Sequence, residues 1–297
     1  MESIINNIVA ENPGGIANRI KCLISMWRIC DKYNKKLYLN WELNHTCGAE
    51  FNRLFENEFN LISTEELKEL KDSRGSQTWK FLPLPEDKIK DMDFAFEGLP
   101  EDTKKIILSY LNKLTPIKVI RNIVENFSNA YNVKNLVGVH IRRDDFKMRG
   151  KNDSDVASDE LFIERMNELI QEDNNTKFLL CTDSQEVEDK FINEFPNKII
   201  VYKKKNRDRT SKITTQQGLI DMLLLSKTKH IIGTYMSTFN ELAWWFGGCK
   251  VKVDIIKDEK LYEEYTNRNN KLDKSIIRKL KQLIFKLFKK IRIFKRR

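Results

Sequence analysis

Leu136-Val137-Gly138-Val139-His140-Ile141-Arg142-Arg143-Asp144-Asp145 is the stretch whose reading decides the fold. It opens as a short apolar run bounded by Asn135, the pattern of a strand buried on both faces. The chain then delivers a histidine, two arginines and two aspartates at the carboxyl end of that strand. In an open α/β sheet, ligands bind outside the carboxyl ends of the strands. An imidazole and two guanidinium forks at such a place suit a base and a phosphate better than a hydrophobic core. The bland alternative is a surface strand end whose arginines pair with Asp144 and Asp145.

Downstream, strand and helix patterns alternate. A helix is expected from about Ser158 to Gln171, then the strand Phe178-Leu179-Leu180-Cys181, with Ser184 placed to cap the next helix. The strand Ile199-Ile200-Val201-Tyr202, the helix Gln216 to Ser226, the strand His230-Ile231-Ile232-Gly233 and the helix Phe239 to Phe246 follow. Lys252 to Ile256 reads as one more strand. This alternation predicts a parallel sheet with helices on both faces.

Upstream, residues 4 to 11 read as a short strand that runs into Asn12-Pro13-Gly14-Gly15. A helical pattern follows with Ile16, Ile20, Leu23, Ile24 and Trp27 on one face, and KKLYLNW (35 to 41) reads as another strand. Strand, glycine turn, helix, strand is a βαβ unit. Four of the six prolines fall between 83 and 116, which marks connecting segments there. Thr115-Pro116 then predicts a threonine-capped helix bearing Ile117, Ile120, Val124, Phe127 and Tyr131.

At 297 residues, with 40% apolar and 10% aromatic side chains, the chain can bury two cores of ordinary size. The expected fold class is α/β, with two parallel-sheet domains facing a cleft. The expected boundaries are 1–125, 126–271 and a tail at 272–297. The five cysteines show no CxxC or metal-binding spacing, and a reducing cytosol is the plain expectation. The start of the chain lacks the basic region and long apolar stretch of a signal peptide, and no run of about 18 apolar residues occurs. Residues 274–297 hold eleven Lys or Arg and no acid, which exceeds the whole net charge of +10, so the other 273 residues carry −1.

GGIANR (14–19), VGVHIRRDD (137–145), LLCTDS (179–184) and DMLLLSKTKHIIGTYMSTF (221–239) occur in that order. Together they resemble the fucosyltransferase superfamily of inverting enzymes: the α-1,6-, α-1,2- and protein O-fucosyltransferases. The resemblance spans roughly residues 4 to 250 in organisation, with specific residues matching only in these four segments. It implies the GT-B architecture, with GDP-fucose as donor substrate held mainly by the carboxyl-terminal domain, the acceptor on the amino-terminal side, and no metal or other cofactor. It implies that His140 contacts the nucleotide, that Arg142 contacts the diphosphate, and that Arg143 follows with less constancy. Asp183 and Asp221 would face the nucleoside, Ser237 and Thr238 the phosphates or nucleotide, and Gly14, Gly15, Asn18 and Arg19 would close over the donor.

Physical chemistry points the same way. Cleaving a sugar–phosphate bond leaves a diphosphate that gains negative charge while an oxocarbenium-like sugar forms. A guanidinium and helix N-termini held at that place stabilise the developing charge. The turn at Gly14-Gly15 lacks the GxGxxG spacing of a nicotinamide or flavin site. Asp153-Ser154-Asp155 offers only a weak DxD pattern for a metal. For a base, Asp145 is the expectation; Asp153 and Asp155 compete, and each could equally be a solvated loop carboxylate. His45 and His230 read as structural, Trp244 and Trp245 as core, and the run Lys203 to Arg209 as a solvated loop, with a role at the acceptor or donor phosphates as its alternative.

From Ile276 onward apolar residues recur at helical spacing among the cations, the pattern of a basic amphipathic helix lying on an anionic membrane. Each basic residue near such a surface contributes about 1 kcal/mol. A partner helix, a calmodulin-target-like segment or a nucleic-acid arm are the alternatives. The expected location is cytoplasmic, peripheral at the inner face of the membrane, where a lipid-linked glycan acceptor would lie within reach. Two further functional readings stand beside this one: a transferase for another nucleotide sugar, and a basic nucleic-acid-binding protein. The near-neutral body disfavours the last, since a nucleic-acid groove spreads cations across a domain face, and no nucleic acid is expected as a partner.

Overall fold

The computed structural model describes residues 7–69, 74–76, 101–143, 157–235, 237–260 and 263. The expected basic helix at 274–297, together with Asp144, Asp145, Asp153 and Asp155, lies outside them. The amino-terminal half contains β1 (Asn7–Glu11), α1 (Ile16–Tyr33), β2 (Lys36–Asn40), β3 (Asn60–Leu61), α2 (Thr64–Glu69), β4 (Arg74–Ser76) and α3 (Glu101–Leu111). Next come α4 (Lys118–Tyr131), β5 (Val137–Ile141), α5 (Asp159–Glu172), β6 (Phe178–Thr182) and α6 (Gln185–Glu194). The chain then forms β7 (Ile199–Ile200), α7 (Lys212–Leu225), β8 (His230–Thr234), α8 (Thr238–Phe246) and β9 (Lys252–Ile256).

Two parallel sheets result, ordered β3-β2-β1-β4 and β7-β6-β5-β8-β9. Both follow the same rule: successive strands are added to one side of the first, and the fourth is added to the other side. The order therefore reverses beside β1 in one sheet and beside β5 in the other, and each reversal opens a crevice at the carboxyl ends. β5, β6 and β8 are buried at every position. That is why their sequences read as continuous apolar runs rather than alternating ones.

The strands β1, β2, β5, β6, β8 and β9 fall within a few residues of their expected places. Three boundaries differ. α4 starts at Lys118 with Ile117 as its cap, not at Thr115-Pro116. Pro116 instead bridges to Phe55, and the Thr115 N–H donates to Asn57 Oδ1 (2.7 Å), so tertiary bonds claim the would-be cap. β7 stops after two residues rather than four, and α7 begins four residues early with Ser211 as its cap. The short strands β3 and β4 carry no legible sequence signal.

Helix α1 buries Ile20, Leu23 and Ile24 completely, each contributing about 1.5–3 kcal/mol. It ends at Asn34, whose left-handed backbone (φ 48°) and N–H bond to the Cys30 carbonyl close the last turn. One apolar cluster runs from α1 and β2 through Leu219, Leu224, Trp244 and Trp245 of α7 and α8. The two halves thus share a core, with α1, α7 and α8 packed between the sheets. The two tryptophans are core residues, as expected, and all five cysteines are free thiols.

Candidate active site

A cavity opens between the two crevices. Its amino-terminal wall is the start of α1 (Gly15 to Asn18) with Thr46, and the rest belongs to the carboxyl-terminal half. His140 and Arg142 enter from the end of β5, Thr182 and Asp183 from the end of β6, and Thr238 and Phe239 from the start of α8.

The strand ends are fastened to each other by side chains. Thr234 Oγ1 accepts the Arg142 N–H and donates to the His140 carbonyl, both at 3.0 Å, which joins β5 to β8 one residue before the site. A Cβ on Gly233 would lie 2.2 Å from Asn240 Nδ2. Glycine there lets Asn240 reach the Thr234 carbonyl (2.8 Å) and seat the α8 N-terminus at the cavity. Both α1 and α8 start at the cavity without a side-chain cap, which sets the positive ends of both helices against it. α6, by contrast, is capped by Ser184, which accepts from the Val187 N–H (3.4 Å), as its sequence predicted.

His140 is buried and stacks on Phe239 with ring centroids 4.5 Å apart. Burial pushes its pKa down to about 3 despite the nearby Asp183, so the imidazole is neutral. Arg142 lines the cavity as expected. Arg143 turns away: its guanidinium bonds Asp159 at the start of α5 (2.6 Å) and the Arg142 carbonyl (3.0 Å), and only its N–H meets Asp183 (2.9 Å). It braces the loop that carries Arg142. Arg19 is likewise buried among protein carbonyls, and Gly14 lies behind the wall with its N–H on Asn12 Oδ1 (2.8 Å). Gly15, Asn18, Asp183, Asp221 and Thr238 line the cavity, whereas Ser237 is fully buried beneath the α8 start.

The run from Lys203 to Arg209 is not the solvated loop of its first reading; it lies at the cavity, where its alternative reading had it. Lys204, Arg207 and Arg209 all line the cavity. Lys204 pairs with Asp221 of α7 (2.8 Å), Arg207 with Glu188 of α6 (2.6 Å) and Arg209 with Asp183 (2.8 Å). Gln217 pins the segment from below, its amide oxygen facing the Lys205 N–H (2.7 Å) and its nitrogen the Asn206 carbonyl (3.0 Å). Burial works against the Lys204 charge, but the Asp221 carboxylate outweighs it, and the ammonium holds its proton more tightly than a free lysine. Thr182 and Thr214 of the wall were missed. The only available hint was that each cation had an acid in a neighbouring element, which spacing alone cannot reveal. Of the two residues read as structural histidines, His230 sits at the opposite end of β8 against Asp254 (3.0 Å), and His45 is exposed.

Two properties mark the cavity as a ligand site. Among the described residues its lining holds four cations (Arg142, Lys204, Arg207, Arg209) against two carboxylates (Asp183, Asp221), and with Glu188 pairing Arg207 from just behind the wall the excess is one positive charge. Buried polar atoms without a hydrogen-bond partner, which are rare in folded proteins, also collect there: Asn18 Oδ1, His140 Nδ1, Thr214 Oγ1 and Asp221 Oδ1 belong to lining residues. Among the described residues no group of three or more His, Cys, Asp or Glu could hold a metal, and no helix is long and apolar enough to cross a membrane.

No protein-family model matches this sequence, and no curated protein matches it. Solved structures do. A NodZ alpha-1,6-fucosyltransferase soaked with GDP-fucose aligns over 81% of this chain and 92% of its own, at 17% identity and a TM-score of 0.53. The selenomethionine form of fucosyltransferase NodZ from Bradyrhizobium aligns over 80% and 91%, at 16% identity and 0.52. POFUT1 in complex with GDP-fucose aligns over 85% and 98%, at 10% identity and 0.52. The chain has the fold of these fucosyltransferases. The resemblance expected from four short segments therefore holds for the fold as a whole, over most of both chains.

Proposed function

We propose that this protein is a metal-independent, inverting glycosyltransferase that moves fucose from GDP-fucose to a glycan hydroxyl. The observation that carries the reading is a cationic cavity, with an excess of one positive charge among the described residues, at two uncapped helix N-termini. A sugar-linked diphosphate carries two negative charges and presents only acceptors. The choice of GDP-fucose follows the structural neighbours, one a complex with that compound and another soaked with it. Asp221 Oδ1 and Asp183 suit the donor edge of a guanine or the ribose hydroxyls, and the flat His140–Phe239 stack offers an apolar surface beside them.

In this scheme the acceptor hydroxyl attacks the anomeric carbon from the face opposite the diphosphate. The bond to the phosphate oxygen breaks, its electron pair stays on the diphosphate, and the configuration inverts. Arg142 and the helix N-termini stabilise that growing charge, a contribution that typically reaches ~10²–10³ in rate for one such donor. The fixed cations do here what a divalent ion does in other sugar-nucleotide enzymes. The hydroxyl proton leaves late in a loose transition state, so a weak carboxylate base suffices, and Asp145 is the proposed one. Residues 274–297 are proposed to hold the enzyme at an anionic membrane on its cytoplasmic side, close to a lipid-linked acceptor; vesicle binding with and without the tail checks this.

The test is GDP release from GDP-fucose beside GDP-mannose and UDP-sugars, with chelator present, for wild type and Arg142→Ala. Selective release that falls about 10²–10³-fold in the variant, together with thermal stabilisation by GDP, is the expected result. No stabilisation by GDP and no release from any sugar nucleotide would overturn the proposal.

A further inference from the structure

The turn Asn12-Pro13-Gly14-Gly15 is gripped from behind. Asn44 Nδ2 donates to the Pro13 carbonyl (2.8 Å), and Thr46 Oγ1 donates to the same oxygen at 2.9 Å. Arg19 donates from Nε to the Gly14 carbonyl and from a terminal nitrogen to the Glu42 carbonyl, both at 2.7 Å, with its guanidinium 5.3 Å from the Trp41 ring centre. The carbonyls at 13 and 14 are thereby tied back into the protein. The first hydrogen bond within α1 runs from the Arg19 N–H to the Gly15 carbonyl (3.2 Å), so the N–H groups at the helix start remain for the cavity.

Residues 42–48 close on themselves through paired backbone bonds between Asn44 and Cys47 (3.1 and 3.2 Å). The far end of this loop docks on the other half of the molecule. The Gly48 N–H donates to Thr215 Oγ1 of α7 (2.9 Å), and the backbones approach so closely that a Cβ on Gly48 would lie 2.1 Å from the Thr210 carbonyl oxygen. Both Thr46 and Thr215 line the cavity. An unbroken run of contacts therefore leads from the Gly14-Gly15 turn, through the loop, to the helix that carries Asp221.

We infer that residues 42–48 are a positioning strap: with Arg19, they set the anion-facing start of α1 against the nucleotide-holding half. Arg19, Asn44 and Gly48 act through the turn and do not touch the ligand. The inference rests on the proposed diphosphate site and divides its labour. Asp183 and Asp221, on the carboxyl-terminal half, hold the nucleoside. The wall that meets the terminal phosphate owes its place to the strap. Disturbing the strap therefore weakens a nucleoside diphosphate and spares the monophosphate.

The experiment uses the full chain and two variants. Asn44→Asp keeps the acceptor oxygen but cannot donate to Pro13, and Gly48→Ala forces the loop off Thr210. Asn44 is only half-buried, so its variant stays folded if Gly48→Ala does not. Amide exchange should quicken at residues 13–19 while β5, β6 and β8 keep their protection. The GDP affinity should fall about tenfold relative to that of GMP, the worth of one charge-assisted hydrogen bond. Unchanged exchange at 13–19, or equal losses for GDP and GMP, would overturn the strap. Were the wild type to bind neither nucleotide, the functional proposal would fall, and the exchange measurement would still decide the strap.

Discussion

Replacing Lys204 with methionine separates the fold from the site. The Lys204–Asp221 pair is 2.8 Å apart, with side chains only 8% and 5% exposed. At an effective dielectric of about 20 the attraction at that distance is worth roughly 6 kcal/mol. Desolvation of the lysine offsets part of it, and breaking a buried pair by removing one partner costs about 3–5 kcal/mol because the other charge stays buried. Against a total stability of about 5–15 kcal/mol, Lys204→Met should fold with a much reduced margin in urea denaturation. Burial already pushes the Asp221 carboxyl above its ordinary range, and removing the ammonium pushes it higher. A carboxyl whose folded pKa lies above its unfolded one binds its proton more readily in the folded state. The deficit of the variant should therefore be largest at neutral pH and shrink as the pH falls through the raised pKa. The double variant Lys204→Met with Asp221→Leu should recover stability to within about 1 kcal/mol of wild type and yet bind no GDP. A single-variant loss below about 1 kcal/mol, a loss constant from pH 5 to 8, or a double variant no more stable than the single one would refute the reasoning.

Gly233→Ala would press a methyl onto Asn240 and shift the α8 N-terminus; a loss of about 1–3 kcal/mol from overpacking should appear in denaturation, with weaker GDP binding in calorimetry. His140 is neutral across the working range, since its pKa is pushed down to about 3; the pH–rate profile should show no limb near the ordinary histidine value of about 6.5, and such a limb lost in His140→Gln would contradict the burial argument. Burial pushes the Asp254 carboxyl up, but hydrogen bonds from His230 and Arg165 outweigh it and hold the group well below its ordinary range. A depressed carboxyl stabilises the fold above its unfolded pKa and loses that contribution as the pH falls through the folded one. Asp254→Asn should thus cost about 1.5–3 kcal/mol at pH 7, with the gap to wild type closing on acidification, as read by thermal melts across pH.

The resemblance rested on features carried by contiguous residues. Val137 to Ile141 reads as a buried strand because every one of its positions is buried, and a strand covered on both faces leaves a continuous apolar run in one dimension. The place of His140 and Arg142 followed from that, since a parallel strand offers its carboxyl end to the site whatever the rest of the chain does. The glycine turn and the capped helix after Thr182-Asp183 are legible for the same reason: turns and caps are bonds between near neighbours in sequence.

What the sequence determined by itself, then, was the alternation of strands and helices, the two parallel sheets and the arginine at the end of β5. Only the tertiary structure decided which charges face the cavity. Arg142 and Arg143 are adjacent and chemically alike, yet one lines the site and the other is spent on Asp159, sixteen residues away. Arg19 looked like a ligand of the donor, and its Nε and one terminal nitrogen are taken by the Gly14 and Glu42 carbonyls, because Glu42 and Trp41 come back to meet it. Lys204, Arg207 and Arg209 looked like a solvated run and form one wall of the site, because Asp221, Glu188 and Asp183 arrive from three other elements to neutralise them. A buried charge is tolerated only beside its partner, and partners brought together by folding leave no period in the sequence by which to read them.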